Sequence, residues 1–66
     1  MTLEQWRQLN VGDRVRFLGE EQSDGLVTHV SENRVTIQWE PGGLSSLPLQ
    51  DVDAANRYLM DNTVKL

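Results

Sequence analysis

Apolar and polar residues alternate over most of the middle of the chain, and this alternation predicts β-strands. Four segments show the two-residue period of a strand with one buried face: residues 13–18, 25–31, 34–39 and 44–49. Because Pro48 has no backbone N–H to donate, we expect the end of the fourth strand to lie at an edge of the sheet or at a bulge. Short strands separated by turn residues are typical of a mainly β domain.

The first ten residues have a helical period instead. Thr2 and Gln5 have the spacing of a capping box, in which each side chain accepts a hydrogen bond from the other residue's backbone N–H. The helix that follows carries three apolar residues on one side, Leu3, Trp6 and Leu9. A helix of about two turns is not stable alone. We expect it to pack on its own sheet, and docking in a second subunit is the alternative.

A second helical period follows the fourth strand. Residues 51–60 carry an apolar stripe, and either Asp51 or Asp53 can cap the helix. The stripe consists of Val52, Ala55 and Leu59. Residues 61–66 show no pattern, and we expect them to be a frayed tail.

Closing the sheet would hide the edges that short strands otherwise expose. The sequence therefore predicts a barrel of four to five antiparallel strands over residues 11–50. A short N-terminal helix at residues 1–10 would pack on this barrel, and a short C-terminal helix at residues 51–60 would follow it.

The spacing of residues within the barrel segment resembles two known families. The pattern is similar to that of Tudor domains and related SH3-like barrels. It consists of Val11-Gly12-Asp13-Arg14-Val15, Gly25, residues 34–39, and Leu47-Pro48-Leu49 with Val52. Its first and last parts also resemble the small plasmid-borne type II dihydrofolate reductases, which are SH3-like barrels themselves. Both resemblances imply an SH3-like, Tudor-type barrel, and a fold does not define one function.

The Tudor resemblance implies no methyl-reading site. Tudor domains that bind methylated side chains surround the cation with aromatic rings. The matching positions hold Gly19, Ser23, Gln38 and Pro41, none of which is aromatic. We therefore do not expect recognition of methylated side chains, and a weaker site of this kind formed by the neighbouring Phe17 and Trp39 is the alternative.

The reductase resemblance implies an oligomeric enzyme whose pore holds folate and nicotinamide. The pore-forming stretch of that family matches residues 44–47, Leu-Ser-Ser-Leu, and its lysine matches Phe17. The groups that would hold both ligands are missing. An enzyme of this architecture remains an alternative only with a different pore.

Composition limits the chemistry of the chain. It has 66 residues, no cysteine and one histidine, so it offers no thiol nucleophile, disulfide or multi-histidine metal centre. That histidine, His29, has no carboxylate beside it in sequence, and general-base catalysis needs a positioned partner. We therefore predict that the protein is not an enzyme and that it needs no cofactor or metal.

Charge bears on the kind of partner. The formal net charge of −4 repels phosphate backbones, so nucleic acid is not expected as the main partner. Arg14, Arg16 and Arg34 would form a basic stripe on one face of the sheet. This stripe keeps weak nucleic-acid association as an alternative, although pairing with Thr36, Gln38 or nearby carboxylates is the simpler interpretation. The sequence shows no apolar leader or membrane span, and a cytoplasmic location is expected.

Two aromatic residues are candidates both for the core and for a binding site. Phe17 and Trp39 have the parity of inward-facing residues on their strands, which predicts that both belong to the core. The alternative places them beside a groove at the strand ends. The acidic loop at residues 20–24 either aids solubility or presents an acidic rim to a basic peptide.

The sequence as a whole indicates an interaction module that binds a peptide or protein partner at the loop end of the barrel. A homodimer or a larger assembly is the expected state, because so small a core has limited stability. The predicted rim of the binding surface consists of Phe17, Glu20, Glu21, Asp24, Trp39 and Leu47.

Overall fold

A computed structural model describes residues 1–66 as a mainly β fold with two short helices. In chain order the elements are α1 (Leu3–Arg7), β1 (Arg14–Phe17), β2 (Ser23–Val30), β3 (Arg34–Trp39), β4 (Leu44–Pro48), α2 (Ala54–Asp61) and β5 (Thr63–Lys65). The predicted mainly β class with a short helix before and after the first four strands is confirmed, and β3 has the same bounds as the segment predicted from the alternation.

The five strands form one open antiparallel sheet with the order β4-β3-β2-β1-β5, so the predicted closure was wrong. The two edge strands β4 and β5 have features that limit pairing with other strands. Pro48 ends β4 without an N–H, and the Arg34 guanidinium donates to the Ser46 carbonyl oxygen at 3.0 Å. The other edge, β5, has only three residues. Edge strands that are short, or whose backbone groups are already bonded or missing, can face solvent without pairing with another chain. The predicted edge position of Pro48 is confirmed.

The strand β5 lies where the sequence predicted a frayed tail, so that prediction was wrong. Thr63 of β5 pairs with Phe17 of β1. The Thr63 side chain is buried, and its hydroxyl donates to the Leu59 carbonyl oxygen at 2.7 Å. The last residues are therefore tied to both the sheet and α2.

The core lies between one face of the sheet and the two helices. Side chains from alternate strand positions fill it, as the two-residue period predicts. Its nine buried apolar residues are Trp6, Leu9, Val15, Val27, Val35, Ile37, Leu47, Leu49 and Met60.

The N-terminal helix packs on its own chain, which confirms the preferred interpretation of its apolar side. Thr2 and Gln5 form the predicted capping box, with N···O distances of 2.8 and 3.2 Å. Trp6 is 0% exposed, and its indole Nε1 donates to the Met60 carbonyl oxygen at 3.1 Å. Trp6 therefore connects α1 to the end of α2.

The C-terminal helix is capped by Asp53, whose side chain accepts from the Asn56 backbone N–H at 2.8 Å. The other candidate cap, Asp51, instead has a positive φ of 54° in the turn before the helix. The predicted apolar stripe was wrong in part, because Ala55 is exposed and Met60 is the buried residue of α2.

Candidate binding groove

The core face of the sheet is incompletely covered at the end where β1 and β3 finish. Phe17 is the last residue of β1, and Trp39 is the last residue of β3. Both lie on the core face, as their parity predicts, but both side chains are only half-buried. Trp39 packs against the buried core and also borders a groove. Phe17 borders the groove without packing against the buried core residues, so its predicted place in the core was wrong.

The indole of Trp39 is held from two directions. Its Nε1 donates to the Ser45 hydroxyl oxygen at 2.8 Å. On the neighbouring strand its register partner is Gly25, and a Cβ built on that glycine would lie 2.8 Å from Trp39 Cε3. Because Gly25 has no side chain, the indole lies close to the β2 backbone. These two contacts therefore hold the Trp39 ring in one orientation beside the groove.

The ring of Phe17 lies against Gly19 and Tyr58. A Cβ at Gly19 would collide with the Phe17 ring, so the glycine allows the ring to lie against the β1–β2 connection. On the other side, Tyr58 of α2 meets Phe17 edge to face, with ring centroids 6.2 Å apart and an interplanar angle of 70°. Tyr58 is 55% exposed. The sequence pattern did not predict a role for Tyr58, whose only signal is its place as an aromatic residue beside the apolar stripe of α2.

Two adjoining depressions, both open to solvent, surround these rings. The first has a volume of about 510 Å³ and is lined by Phe17, Glu20, Glu21, Ser23 and Tyr58. The second has a volume of about 310 Å³ and is lined by Phe17, Ser23, Trp39, Gly42, Ser45 and Leu59. Since Phe17 and Ser23 line both, we treat the two depressions as one surface and call it the aromatic groove.

Four of the six predicted rim residues lie in the aromatic groove, and two do not. Leu47 is 2% exposed and belongs to the core, because it faces inward on β4 opposite Val35 of β3. Asp24 follows Ser23 on β2, so its side chain points to the other face of the sheet, where it pairs with Arg16. Neither residue can line the groove.

The pair of Arg16 and Asp24 is bidentate. Arg16 Nε lies 2.7 Å from Asp24 Oδ1, and a second guanidinium nitrogen lies 3.1 Å from Oδ2. The hydrogen bonds from Arg16 lower the pKa of the Asp24 carboxyl, and the same bonds raise the pKa of Arg16.

The other two arginines of the predicted stripe also have partners. Arg14 pairs with Glu40 at 3.6 Å, and both side chains are exposed. Arg34 Nε donates to the Ser46 hydroxyl at 2.9 Å. The partners are therefore carboxylates and a serine across the strands, rather than the threonine or glutamine that the sequence also allowed.

Glu20 and Glu21 differ from the paired carboxylates of the sheet. The two ion pairs of the structure use Asp24 and Glu40, so neither glutamate of the first depression has a cationic partner. Both glutamates are exposed. They give one side of the aromatic groove a negative charge that the fold does not neutralise.

The only histidine lies away from the groove. A register shift between Val27 and His29 marks a bulge in β2, and the His29 side chain is exposed. Its Nδ1 lies 3.3 Å from the Thr28 hydroxyl, and it has no carboxylate partner. No three His, Asp or Glu side chains come together in a way that could hold a metal ion.

Comparisons with known proteins give no family for this chain. No family model, curated protein or solved structure matches it. Neither of its helices has the length and apolar character needed to cross a membrane.

Replacing Asp24 with asparagine is expected to remove a pH-dependent part of the stability. The pKa of Asp24 is lowered in the folded state, from about 3.9 in an unfolded chain. Its contribution is therefore fully present above the unfolded value and is lost as the pH falls through the folded value. In urea denaturation, wild type should have a larger free energy of unfolding than Asp24→Asn near neutral pH. The two free energies should converge in acid, where the Asp24 carboxyl is protonated.

The variant Glu21→Gln is the control for the change in net charge, because it removes a carboxylate that has no ion pair. A difference between Asp24→Asn and wild type that stays constant from neutral to strongly acidic pH would contradict the assigned role of the pair.

Proposed function

We propose that this protein is a non-catalytic interaction module that binds a peptide or protein partner in the aromatic groove. The observation that carries this proposal is the gathering of three incompletely buried rings, Phe17, Trp39 and Tyr58, at one end of the sheet. Aromatic side chains supply much of the binding energy at protein interfaces when a ligand covers them. Two of these rings are already held in place by Ser45, Gly25 and Gly19, so little ordering would be needed on binding.

The assignment to the SH3-like, Tudor-type class, which is more specific than a mainly β fold, is part of this proposal. It is supported by the residue spacing within positions 11–52 and by five short antiparallel strands in one sheet. The location of the groove at the ends of β1 and β3 also fits the loop-end site expected for this class.

The charges favour a peptide over nucleic acid. Arg14 and Arg16 are paired with Glu40 and Asp24, so they offer little free positive charge to a phosphate backbone. The unpaired charges beside the rings are negative. A reductase-like enzyme is disfavoured because residues 44–47 and Phe17, which match the pore residues of that family, lack the groups that would hold folate and nicotinamide.

A homodimer is compatible with this function because it would use a different surface. On the other face of the sheet, Leu26 of β2 and Leu44 of β4 are both register partners of Gln38, and both leucines are exposed. Self-association through these leucines would leave the aromatic groove free.

Selection from a displayed library of random peptides tests the proposal. We expect wild type to enrich a family of peptides, and Tyr58→Ala to bind them about tenfold or more weakly, since an aromatic anchor contributes about 2 kcal/mol. Isothermal titration calorimetry would measure the affinities. The control is Val11→Ala, which truncates an exposed apolar residue ahead of β1, outside the groove.

The Val11→Ala variant should keep the wild-type affinity. The proposal is wrong if no peptide is enriched, or if peptides bind Tyr58→Ala and Val11→Ala equally well. Circular dichroism spectra of both variants check that the fold is intact.

A further inference from the structure

The two halves of the aromatic groove have different chemistry. Glu20, Glu21 and Tyr58 belong to the first depression, which we call the acidic half. Trp39 and Leu59 belong to the second, which has no charged lining residue and which we call the apolar half. Phe17 lines both halves, so a ligand that crosses its ring contacts the two environments together.

The acidic half is complementary to a cationic side chain. Glu20 and Glu21 have no cation within the protein, while the other carboxylates near this end, Asp24 and Glu40, are already paired. The rings of Phe17 and Tyr58 add negative ring faces that attract a cation. A Lys or Arg from a ligand would therefore gain both ion pairing and ring contact there.

The apolar half is complementary to an aliphatic side chain. Trp39 offers a large ring that cannot turn away freely, because its Nε1 is bonded to Ser45 and one side of the ring meets the β2 backbone at Gly25. Leu59 of α2 adds aliphatic surface. Covering these groups removes apolar area from water without leaving a charge unpaired.

We propose, on the basis of the proposed function, that the groove recognises an extended peptide segment with a Lys or Arg two positions from an aliphatic residue. The cationic side chain enters the acidic half, and the aliphatic side chain enters the apolar half. Alternate residues of an extended chain point to the same side and lie about 7 Å apart. This spacing suits two adjoining depressions that share the Phe17 ring.

The test compares peptides selected by wild type with those selected by the double variant Glu20→Gln/Glu21→Gln. The matched control is Glu4→Gln/Glu32→Gln, which makes the same change in net charge at two exposed residues outside the groove. Glu4 lies in α1, and Glu32 lies in the turn between β2 and β3. All three proteins keep the aromatic rings.

We expect wild type and the control to enrich Lys or Arg two positions from Leu, Ile or Val. The groove variant should lose the preference for Lys and Arg and keep the aliphatic preference. It should also bind the peptides selected by wild type about tenfold more weakly at low salt. This difference should shrink near 1 M salt, where the screening length is about 3 Å.

The outcomes separate this inference from the proposed function. Peptides that bind in the groove without enrichment of Lys or Arg, or without the two-residue spacing, would overturn the inference alone. An unchanged cationic preference in the groove variant would do the same. If wild type selects no peptide at all, the proposed function and this inference are both wrong.

Discussion

Replacing Trp6 with alanine is expected to destabilise the fold by about 3–5 kcal/mol, the usual loss for a buried tryptophan. Trp6 is 0% exposed, and its indole bond to the Met60 carbonyl oxygen links α1 to α2. The substitution leaves a large cavity and removes one of the hydrogen bonds to the Met60 carbonyl oxygen, which also accepts from the Met1 amino group at 3.0 Å. A domain of this size has a small free energy of unfolding, so most molecules of the variant should be unfolded at room temperature.

Circular dichroism and urea denaturation measure this effect. The control is Tyr58→Ala, which also truncates an aromatic residue but at an exposed position, and its cost should stay below about 1 kcal/mol. A Trp6→Ala variant that remains as stable as Tyr58→Ala would show that α1 does not complete the core in the way described.

Replacing Gly25 with alanine is expected to cost about 1–3 kcal/mol through overpacking. The added Cβ would collide with Cγ2 of the buried Ile37 and would lie 2.8 Å from Cε3 of Trp39. Relief requires that one of these side chains moves, and Trp39 is the less buried of the two. Peptide binding in the apolar half should therefore weaken along with stability.

The control for this substitution is Gly42→Ala in the turn between β3 and β4. A Cβ there meets no atom within 4 Å, so the free energy of unfolding should change by less than about 0.5 kcal/mol. Equal stability of the Gly25 and Gly42 variants would contradict the close packing of the indole on β2.

Features with a local cause were predictable from the sequence. The alternation over residues 34–39 set β3 because inward and outward positions differ along it, and Thr2 and Gln5 set the start of α1 through their own side chains. The inward parity of Phe17 and Trp39 was predictable for the same reason. Leu47 was predicted at the rim, but its register position opposite the buried Val35 places it in the core.

Features that depend on distant partners were not predictable. The strand β5 has only three residues, and it is stabilised by pairing with β1, which lies more than forty residues earlier. The half-burial of Phe17 depends on how much of the sheet face α2 covers, and the contact with Tyr58 depends on the same docking. The groove arises from tertiary packing, so the local pattern indicated four of its lining residues but not the contribution of α2.

The most direct test of the aromatic groove as the binding site follows the two indole N–H groups by nitrogen–proton NMR during titration with a selected peptide. We expect the Trp39 resonance to shift progressively with peptide, because its ring lines the groove. The Trp6 resonance should stay in place, because that indole is buried and bonded to Met60. A shift of Trp6 alone, or no movement of Trp39 when the peptide is bound, would contradict the assignment of the aromatic groove as the binding site.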